Sequence, residues 1–276
     1  MAIPLQPTAA VSIMRLGLRM LRSLLFVYVC LCLYAYFGSD RSIFLPPEAS
    51  YRDSEAIVKV PIGDGRDISA IYLPNAEARY TILYSHGNAE DLGQILPVLI
   101  ELQGFGFAVF AYDYLGYGTS DGKPSERNTY LSINAAYRYL TQTLEVPPSQ
   151  IILYGRSLGG GPSIDLASRE AIAGLIVEGT FITTFRVVTR LRIVPFDKFD
   201  NLSKIPNVYC PVLVIHGTDD EVVPLWHSER LFEAANEPKQ NYWVENSGHN
   251  NLQEVAGDEY EVALQSFLKL VKKAQE

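Results

Sequence analysis

One segment of the sequence combines the residue types that acyl transfer requires. The pentapeptide at 155–159, GRSLG, has the pattern G-x-S-x-G and directly follows an apolar run at 151–154. A helical pattern comes next, so the serine is expected in a tight turn between a strand and a helix, where this motif exposes a nucleophile. Because a helix N-terminus directs N–H groups and partial positive charge toward that hydroxyl, we predict Ser157 as the nucleophile.

A serine hydroxyl needs a positioned base, and the sequence contains four histidines. His86 and His216 each precede a glycine at the end of a predicted strand, which favours structural roles in turns. His227 stands at the start of a predicted helix and is expected to be solvated. His249 lies in the loop between the last predicted strand and the last predicted helix. We predict that its imidazole reaches Ser157 and acts as the base.

Two adjacent carboxylates are candidates for orienting the imidazole of His249 and stabilising its protonated form. Asp219 and Asp220 follow the predicted strand 211–216, and neighbouring side chains point in different directions. Spacing alone therefore leaves the choice between them open. With either one, the chain order is serine, aspartate, histidine, which is the order in hydrolases built on this type of sheet.

The oxyanion of a tetrahedral intermediate requires hydrogen-bond donors. We predict the backbone N–H of Leu158, directly after the nucleophile, as the first donor. The second is the backbone N–H of Asn88, in the loop after the predicted strand 80–85, where Gly87 permits a close turn.

Motifs for cofactors and metals do not fit this sequence. The segment 116–124, GYGTSDGKP, resembles a phosphate-binding loop but carries tyrosine at a required glycine position and proline after the lysine. No G-x-G-x-x-G follows a predicted strand, and no Cys/His spacing matches a zinc site. We expect neither a cofactor nor a metal.

Short apolar runs alternate with helical patterns along most of the chain, which predicts a mostly parallel, twisted sheet of about eight strands with helices on both faces. The first two strands are close enough in sequence to form an antiparallel hairpin at one edge. Such sheets place reactive residues at the carboxyl ends of strands. The predicted strands are 56–60, 68–73, 80–85, 107–112, 150–154, 173–178, 211–216 and 240–245, and the predicted helices are 92–103, 125–144, 158–170, 226–236 and 255–274.

The N-terminal segment has the composition of a membrane anchor. Residues 23–39 contain no charge, and three arginines precede them within 15–22. As a helix the uncharged run spans about 25 Å, slightly less than the hydrocarbon core of a bilayer. We predict that residues 1–40 form an uncleaved, single-pass anchor with a basic amphipathic lead-in, and that 41–276 form a catalytic domain.

Alternatives to the anchor are a cleaved signal peptide, which lacks a small-x-small cleavage site here, and a buried core helix. Acylation of Cys30 and Cys32 at the membrane surface is a further alternative. The positive-inside rule places the arginines in the cytoplasm and favours an extracytoplasmic body. In that compartment the sequon that begins at Asn201 is a candidate glycosylation site.

Charge and cysteine content exclude several classes of protein. The net charge is −8; residues 1–40 carry +2, which leaves −10 on the rest. An acidic body argues against a nucleic-acid partner, because phosphate backbones require clustered lysine and arginine. Only Cys210 lies outside the anchor, so the body holds no internal disulfide.

Three further motifs accompany the serine motif: SHGNAEDLG at 85–93, YDYLGYG at 112–118 and GHN at 248–250. Together they resemble the α/β-hydrolase superfamily over roughly residues 45–274, and most closely the branch of small membrane-attached serine hydrolases that includes protein depalmitoylases. The resemblance implies that the acid is the last residue of a His-Gly-x-x-Asp pattern. That residue is Asp220 here, with Asp219 as the runner-up. It also implies a short or absent cap over an open cleft, because the segment 180–207 is brief.

From the residues and the resemblance we expect a serine hydrolase that cleaves acyl esters or thioesters, including lipid-like or acylated substrates. An amidase or aminopeptidase using the same triad is an alternative, as is a catalytically silent scaffold that binds a ligand in the cleft.

Overall fold

The structure is a computed structural model that describes residues 9–276. Residues 1–8, which belong to the predicted anchor, lie outside the described residues. The chain divides into two compact units, with the boundary between Ile43 and Phe44.

The first unit contains a long apolar helix, α1 (Ala9–Phe37), and a short helix, α2 (Asp40–Ile43). By length and composition, the 27 residues Val11–Phe37 suffice to cross a membrane. The most apolar part of this helix is not buried, and Phe26 is 69% exposed.

The second unit is an eight-stranded sheet covered by helices. Its strands are β1 (Val58–Pro61), β2 (Asp67–Leu73), β3 (Thr81–Ser85), β4 (Ala108–Tyr112), β5 (Ile151–Arg156), β6 (Gly174–Glu178), β7 (Val212–Gly217) and β8 (Lys239–Val244). Its helices are α3 (Leu92–Gly104), α4 (Glu126–Arg138), α5 (Gly160–Ala167), α6 (Thr184–Thr189), α7 (Asn201–Lys204), α8 (Trp226–Ala234), α9 (Leu252–Ala256) and α10 (Asp258–Gln275).

The sheet order β1-β2-β4-β3-β5-β6-β7-β8 confirms the predicted α/β-hydrolase architecture. The first two strands form the predicted antiparallel hairpin, β2 also runs antiparallel to β4, and the remaining neighbours are parallel. Strands β3 to β7 are almost entirely buried because helices cover both faces of a parallel sheet. Their carboxyl ends therefore meet at one edge, where the loops carry the candidate residues.

Helices α3 and α10 cover one face of the sheet in a continuous apolar core, and α4, α5 and α8 pack against the sheet outside that core. Helix α3 begins at a capping box. The Asp91 side chain accepts a hydrogen bond from the Gln94 N–H, and the Gln94 side chain accepts one from the Asp91 N–H. Between β6 and β7 the helical elements are the short helices α6 and α7 and one 3₁₀ turn, Ile205–Asn207, so the expected short cap is confirmed.

Candidate active site

The turn after β5 holds Ser157 in a strained conformation. Its φ is +50°, in the left-handed region that non-glycine residues avoid, and this is a common feature of functional turns. The carbonyl of Ser157 accepts a hydrogen bond from the Thr180 hydroxyl at 2.8 Å. A Cβ on Gly159 would lie 2.0 Å from the carbonyl oxygen of Ser85, and one on Gly155 would lie 2.5 Å from the Gly159 carbonyl oxygen. Both glycines of the motif are therefore required by backbone crowding.

A hydrogen-bonded chain joins three of the residues named from the sequence. His249 Nε2 lies 2.9 Å from Ser157 Oγ, and His249 Nδ1 lies 2.6 Å from Asp220 Oδ2. An ionised carboxylate only accepts hydrogen bonds, so Nδ1 carries the imidazole proton and donates a hydrogen bond to Asp220. Nε2 of the neutral ring is then an acceptor for the Ser157 hydroxyl. This is the geometry that general-base activation of a serine requires.

Asp220, rather than Asp219, contacts the histidine. The Asp220 side chain is buried, and its Oδ1 accepts hydrogen bonds from the N–H groups of Val222 and Val223 at 2.9 and 2.7 Å. Asp219 is exposed, and among residues 9–276 its side chain accepts a hydrogen bond only from the Thr218 hydroxyl, at 3.3 Å. The tertiary structure thus separates two carboxylates that the sequence alone leaves equivalent.

The surroundings of Asp220 keep its carboxylate ionised. Burial raises its pKa, but hydrogen bonds from His216, whose Nε2 lies 3.2 Å from Oδ2, and from His249 outweigh burial. The balance holds the pKa of Asp220 well below its usual range. A fixed negative charge beside Nδ1 favours both the tautomer described above and the protonated ring that forms during proton transfer.

The other three histidines are buried, and for one of them this burial differs from the solvent exposure expected from the sequence. His86 contacts the Gly87 carbonyl at 2.7 Å and His216 contacts the Ser228 hydroxyl at 2.7 Å, as expected for structural residues in turns. The expectation of a solvated His227 is wrong: this side chain is fully buried, and Nδ1 accepts a hydrogen bond from the Ile182 N–H. Burial lowers the pKa of His227 to about 4, with further contributions from the neighbouring positive groups. The segment after β6 covers the start of α8, a tertiary contact that no local sequence signal reports.

The two predicted oxyanion donors lie in turns that the structure holds by specific contacts. Leu158 is buried in a single 3₁₀ turn, Ser157–Gly159, and α5 begins only at Gly160, two residues later than the expected helix start. In the other turn, the Asn88 Oδ1 accepts hydrogen bonds from the Leu45 N–H at 3.0 Å and the Tyr117 hydroxyl at 2.7 Å. These contacts fix the loop in which the Asn88 amide lies.

Sequence reasoning missed a charged cluster beside the nucleophile. Arg156 and Glu178 are paired in register on β5 and β6, and the Arg156 guanidinium also forms an ion pair with Glu90. Burial lowers the pKa of Arg156, but the nearby carboxylates reverse that effect and raise it above its usual value. A charged residue at the end of each of two apolar strands was the signal that could have indicated this cluster.

Within residues 9–276 no group of three or more His, Cys, Asp or Glu side chains is arranged to hold a metal ion.

The sequon does not present an accessible asparagine for glycosylation, because Asn201 is fully buried and its Nδ2 donates a hydrogen bond to the Phe181 carbonyl at 2.8 Å.

The segment 184–193, which follows β6, exposes apolar and basic side chains together. Val188 is 85% exposed and Leu191 is 72% exposed, and the exposed residues Arg190 and Arg192 stand beside them. Thr180, four residues before this segment, donates a hydrogen bond to the Ser157 carbonyl. A solvent-exposed apolar surface with arginines, on a unit that is otherwise acidic, suits an amphiphilic anionic surface or a long acyl chain.

Two protein-family models match parts of this chain. Residues 76–198 match the model described as "Serine aminopeptidase, S33", and residues 190–273 match the prolyl oligopeptidase family.

Among curated proteins, the chain is 43% identical over 204 residues to the alpha/beta hydrolase domain-containing protein aho-3 of Caenorhabditis elegans, which is 72% of this chain and 59% of that protein. It is 43% identical over 183 residues to the human alpha/beta hydrolase domain-containing protein 17B, which is 65% of this chain and 63% of the human protein. The chain therefore spans about three fifths of the length of these relatives.

Solved structures of esterases share the fold at low identity. The Pyrococcus furiosus esterase Pf2001 aligns with a TM-score of 0.69 and 19% identity, covering 81% of this chain and 98% of that one. Est1E from Butyrivibrio proteoclasticus, solved with ferulic acid bound, aligns with a TM-score of 0.64 and 21% identity, covering 78% of this chain and 99% of that one.

Proposed function

Because this chain belongs to the α/β-hydrolase superfamily, we propose that it is a serine hydrolase that cleaves acyl esters or thioesters through an acyl-enzyme intermediate. The observation that carries the proposal is the hydrogen-bonded chain from the Ser157 hydroxyl through His249 to Asp220. A general base within 2.9 Å of a hydroxyl in a strained turn is the arrangement that activates serine as a nucleophile.

The reaction follows from this geometry. Ser157 Oγ attacks the acyl carbonyl carbon while its proton moves to His249 Nε2, and Asp220 stabilises the resulting imidazolium. The N–H groups of Leu158 and Asn88 stabilise the oxyanion of the tetrahedral intermediate. Collapse breaks the bond to the leaving alcohol or thiol, which takes the proton from His249. A water molecule then attacks the acyl-serine with the same base, and the acid product leaves.

Two features favour lipid-like or acylated substrates within this class. The segment 184–193 exposes apolar side chains, and the arginines beside them match anionic head groups. The resemblance to the branch that includes protein depalmitoylases supports thioesters as well as oxygen esters. The short cap leaves room for a bulky substrate.

The match of residues 76–198 to a serine aminopeptidase family favours amide cleavage as a second candidate. A fluorophosphonate probe, followed by parallel assays on a nitrophenyl ester, an acyl thioester and an aminoacyl arylamide, tests both. We expect probe labelling at Ser157, located by peptide mass spectrometry, and turnover of the ester and thioester above that of the arylamide. Turnover of the arylamide alone would assign the chain to the second candidate. Absence of labelling in well-folded protein would leave only a non-catalytic binding scaffold.

We also propose that residues 1–40 are a single-pass membrane anchor, with arginines on the cytoplasmic side, and that 41–276 form the catalytic domain. The helix Val11–Phe37 supports the anchor, and the positive-inside rule supports the orientation. We expect the full chain to stay in the membrane pellet after extraction at alkaline pH. In sealed vesicles of known sidedness, protease should digest the body only from the extracytoplasmic side. Release into the alkaline supernatant would contradict the anchor, and digestion from the cytoplasmic side would contradict the orientation.

A further inference from the structure

The guanidinium of Arg156, the residue before the nucleophile, contacts three separate segments of the candidate active site. The side chain is only 15% exposed. Nη1 donates a hydrogen bond to Glu90, and Nη2 donates to the His249 carbonyl at 3.3 Å and to the Asn250 Oδ1 at 2.9 Å. Nε lies 3.4 Å from Glu178. One side chain therefore bridges the loop after β3, the end of β6 and the loop that carries the base.

Glu90 extends this contact to the oxyanion loop. Its second oxygen, Oε2, accepts a hydrogen bond from the Gly87 N–H at 2.8 Å, one residue before the proposed donor Asn88. The packing is close, because a Cβ on Gly87 would lie 2.7 Å from Glu90 Oε2 and 2.9 Å from Arg156 Nη1. Movement of the guanidinium therefore disturbs the backbone that presents the Asn88 amide.

Glu178 supplies a rigid base for the same guanidinium. The carboxylate is 6% exposed, and its Oε2 accepts hydrogen bonds from the hydroxyls of Tyr154 and Tyr260 at 2.5 and 2.6 Å. Both tyrosines are fully buried in the apolar core. Glu178 thus ties Arg156 to the sheet and the last helix, while the outer guanidinium nitrogens reach two loops of the site.

We propose that Arg156 is a positioning residue that locks the oxyanion loop, through Glu90, and the histidine loop, through the His249 carbonyl, at fixed distances from Ser157. This inference rests on the proposed function. Among the described residues the guanidinium contacts the two loops and Glu178, and not the serine hydroxyl, so it acts through other residues. A planar fork with several fixed donors is needed to hold three partners at once, and a lysine ammonium on a flexible stem lacks that geometry.

The first test uses Arg156→Lys, which retains the charge and the pair with Glu90 but loses the simultaneous contacts. On a short nitrophenyl ester we expect kcat to fall about 100-fold, since misplacement of reacting groups by about 1 Å has an effect of this size, while KM changes little. The thermal midpoint should stay close to that of the wild type. Glu90→Gln should lower kcat in the same way. The double variant should lose little more kcat than either single variant, because both changes break the same connection between Arg156 and Glu90.

The second test is rescue by added guanidinium ion. A cleft of about 250 Å³, lined in part by Arg156, Glu90, Glu178 and Asn250, opens beside the cluster and gives a small cation access. In Arg156→Ala, non-denaturing concentrations of guanidinium should raise kcat in a saturable manner, whereas equal concentrations of ammonium should not. Wild type measured under the same conditions corrects for nonspecific effects of the salt.

A matched control is Arg66→Lys, which alters a partly exposed arginine that pairs with Asp64 in the hairpin turn, and which is expected to leave kcat unchanged. Wild-type kcat in Arg156→Lys, or loss of activity in Arg156→Ala that guanidinium does not restore, would overturn the positioning role. Ser157→Ala is measured alongside these variants. If it retained turnover, the proposed function itself would fail, and that result is distinct from failure of the Arg156 inference.

Discussion

Replacing Ser157 with alanine is expected to reduce kcat on a short nitrophenyl ester by about 10⁴- to 10⁶-fold, the range seen when a triad nucleophile is removed from a serine hydrolase. The physical reason is that the acyl-enzyme route disappears, and only binding and oxyanion stabilisation remain to assist direct attack by water. Steady-state kinetics measures the loss, and mass spectrometry should show no fluorophosphonate adduct on the variant.

Ser163→Ala is a matched control for this experiment. Ser163 lies six residues further on in α5, is fully buried, and has a hydroxyl without a hydrogen-bond partner among the described residues. Removing that hydroxyl should leave kcat near the wild-type value. Comparable activity in Ser157→Ala and wild type would refute the proposed nucleophile, and equal loss in both variants would point to damage to the fold.

Asp220→Asn should lower kcat by about 10⁴-fold, a loss of the size found when the aspartate of a serine protease triad is changed to asparagine. The carboxylate oxygen that accepts the hydrogen bond from His249 Nδ1–H is 2.6 Å from that nitrogen. An amide in its place can present an N–H to Nδ1, which favours the opposite tautomer with the proton on Nε2. That nitrogen then no longer accepts the proton of Ser157. Steady-state kinetics on the same ester measures the effect.

Asp219→Asn provides the matched comparison, because the two carboxylates are adjacent and only Asp220 contacts the imidazole. We expect the Asp219 variant to retain near-wild-type kcat. A large loss in Asp219→Asn with little change in Asp220→Asn would reverse the assignment.

The depressed pKa of Asp220 also predicts the pH dependence of its contribution to stability. A carboxyl whose folded-state pKa lies below its unfolded value, about 3.9, stabilises the folded protein above that unfolded value. The contribution declines as the pH falls toward the folded-state pKa. Urea unfolding of wild type and Asp220→Asn should therefore show a difference in unfolding free energy that is constant near neutral pH and shrinks below about pH 4. A difference that grows on acidification would contradict the assigned direction of the shift.

Much of the fold was accessible from local patterns. All eight predicted strands occur within two residues of their expected limits, because runs such as 107–112 are apolar on both faces and bounded by turn residues. The motif at 155–159 indicated its turn for a steric reason: Gly155 and Gly159 have no room for a Cβ. Helix limits were less accurate near Ser157, where a 3₁₀ turn precedes α5.

The errors and omissions concern contacts between distant segments. His227 is buried because the backbone after β6 lies over the start of α8, and Asn201 is buried because it bonds to the carbonyl of Phe181. Neither residue has a local pattern that distinguishes it from an exposed polar residue. The network of Arg156 with Glu90 and Glu178 connects segments that are far apart in the chain, so the charged residues at the ends of two apolar strands did not by themselves identify their partners.

The sequence by itself determined the sheet, the elbow that carries the nucleophile, and the residue types available for acyl transfer, because periodicity and steric demands of glycine act over a few neighbouring residues. Only the tertiary structure decided which nitrogen of His249 faces Ser157, how the two neighbouring aspartates differ in burial, and which arginine joins the loops. Those outcomes depend on the relative positions of strand ends, and these are set by the packing of the whole sheet.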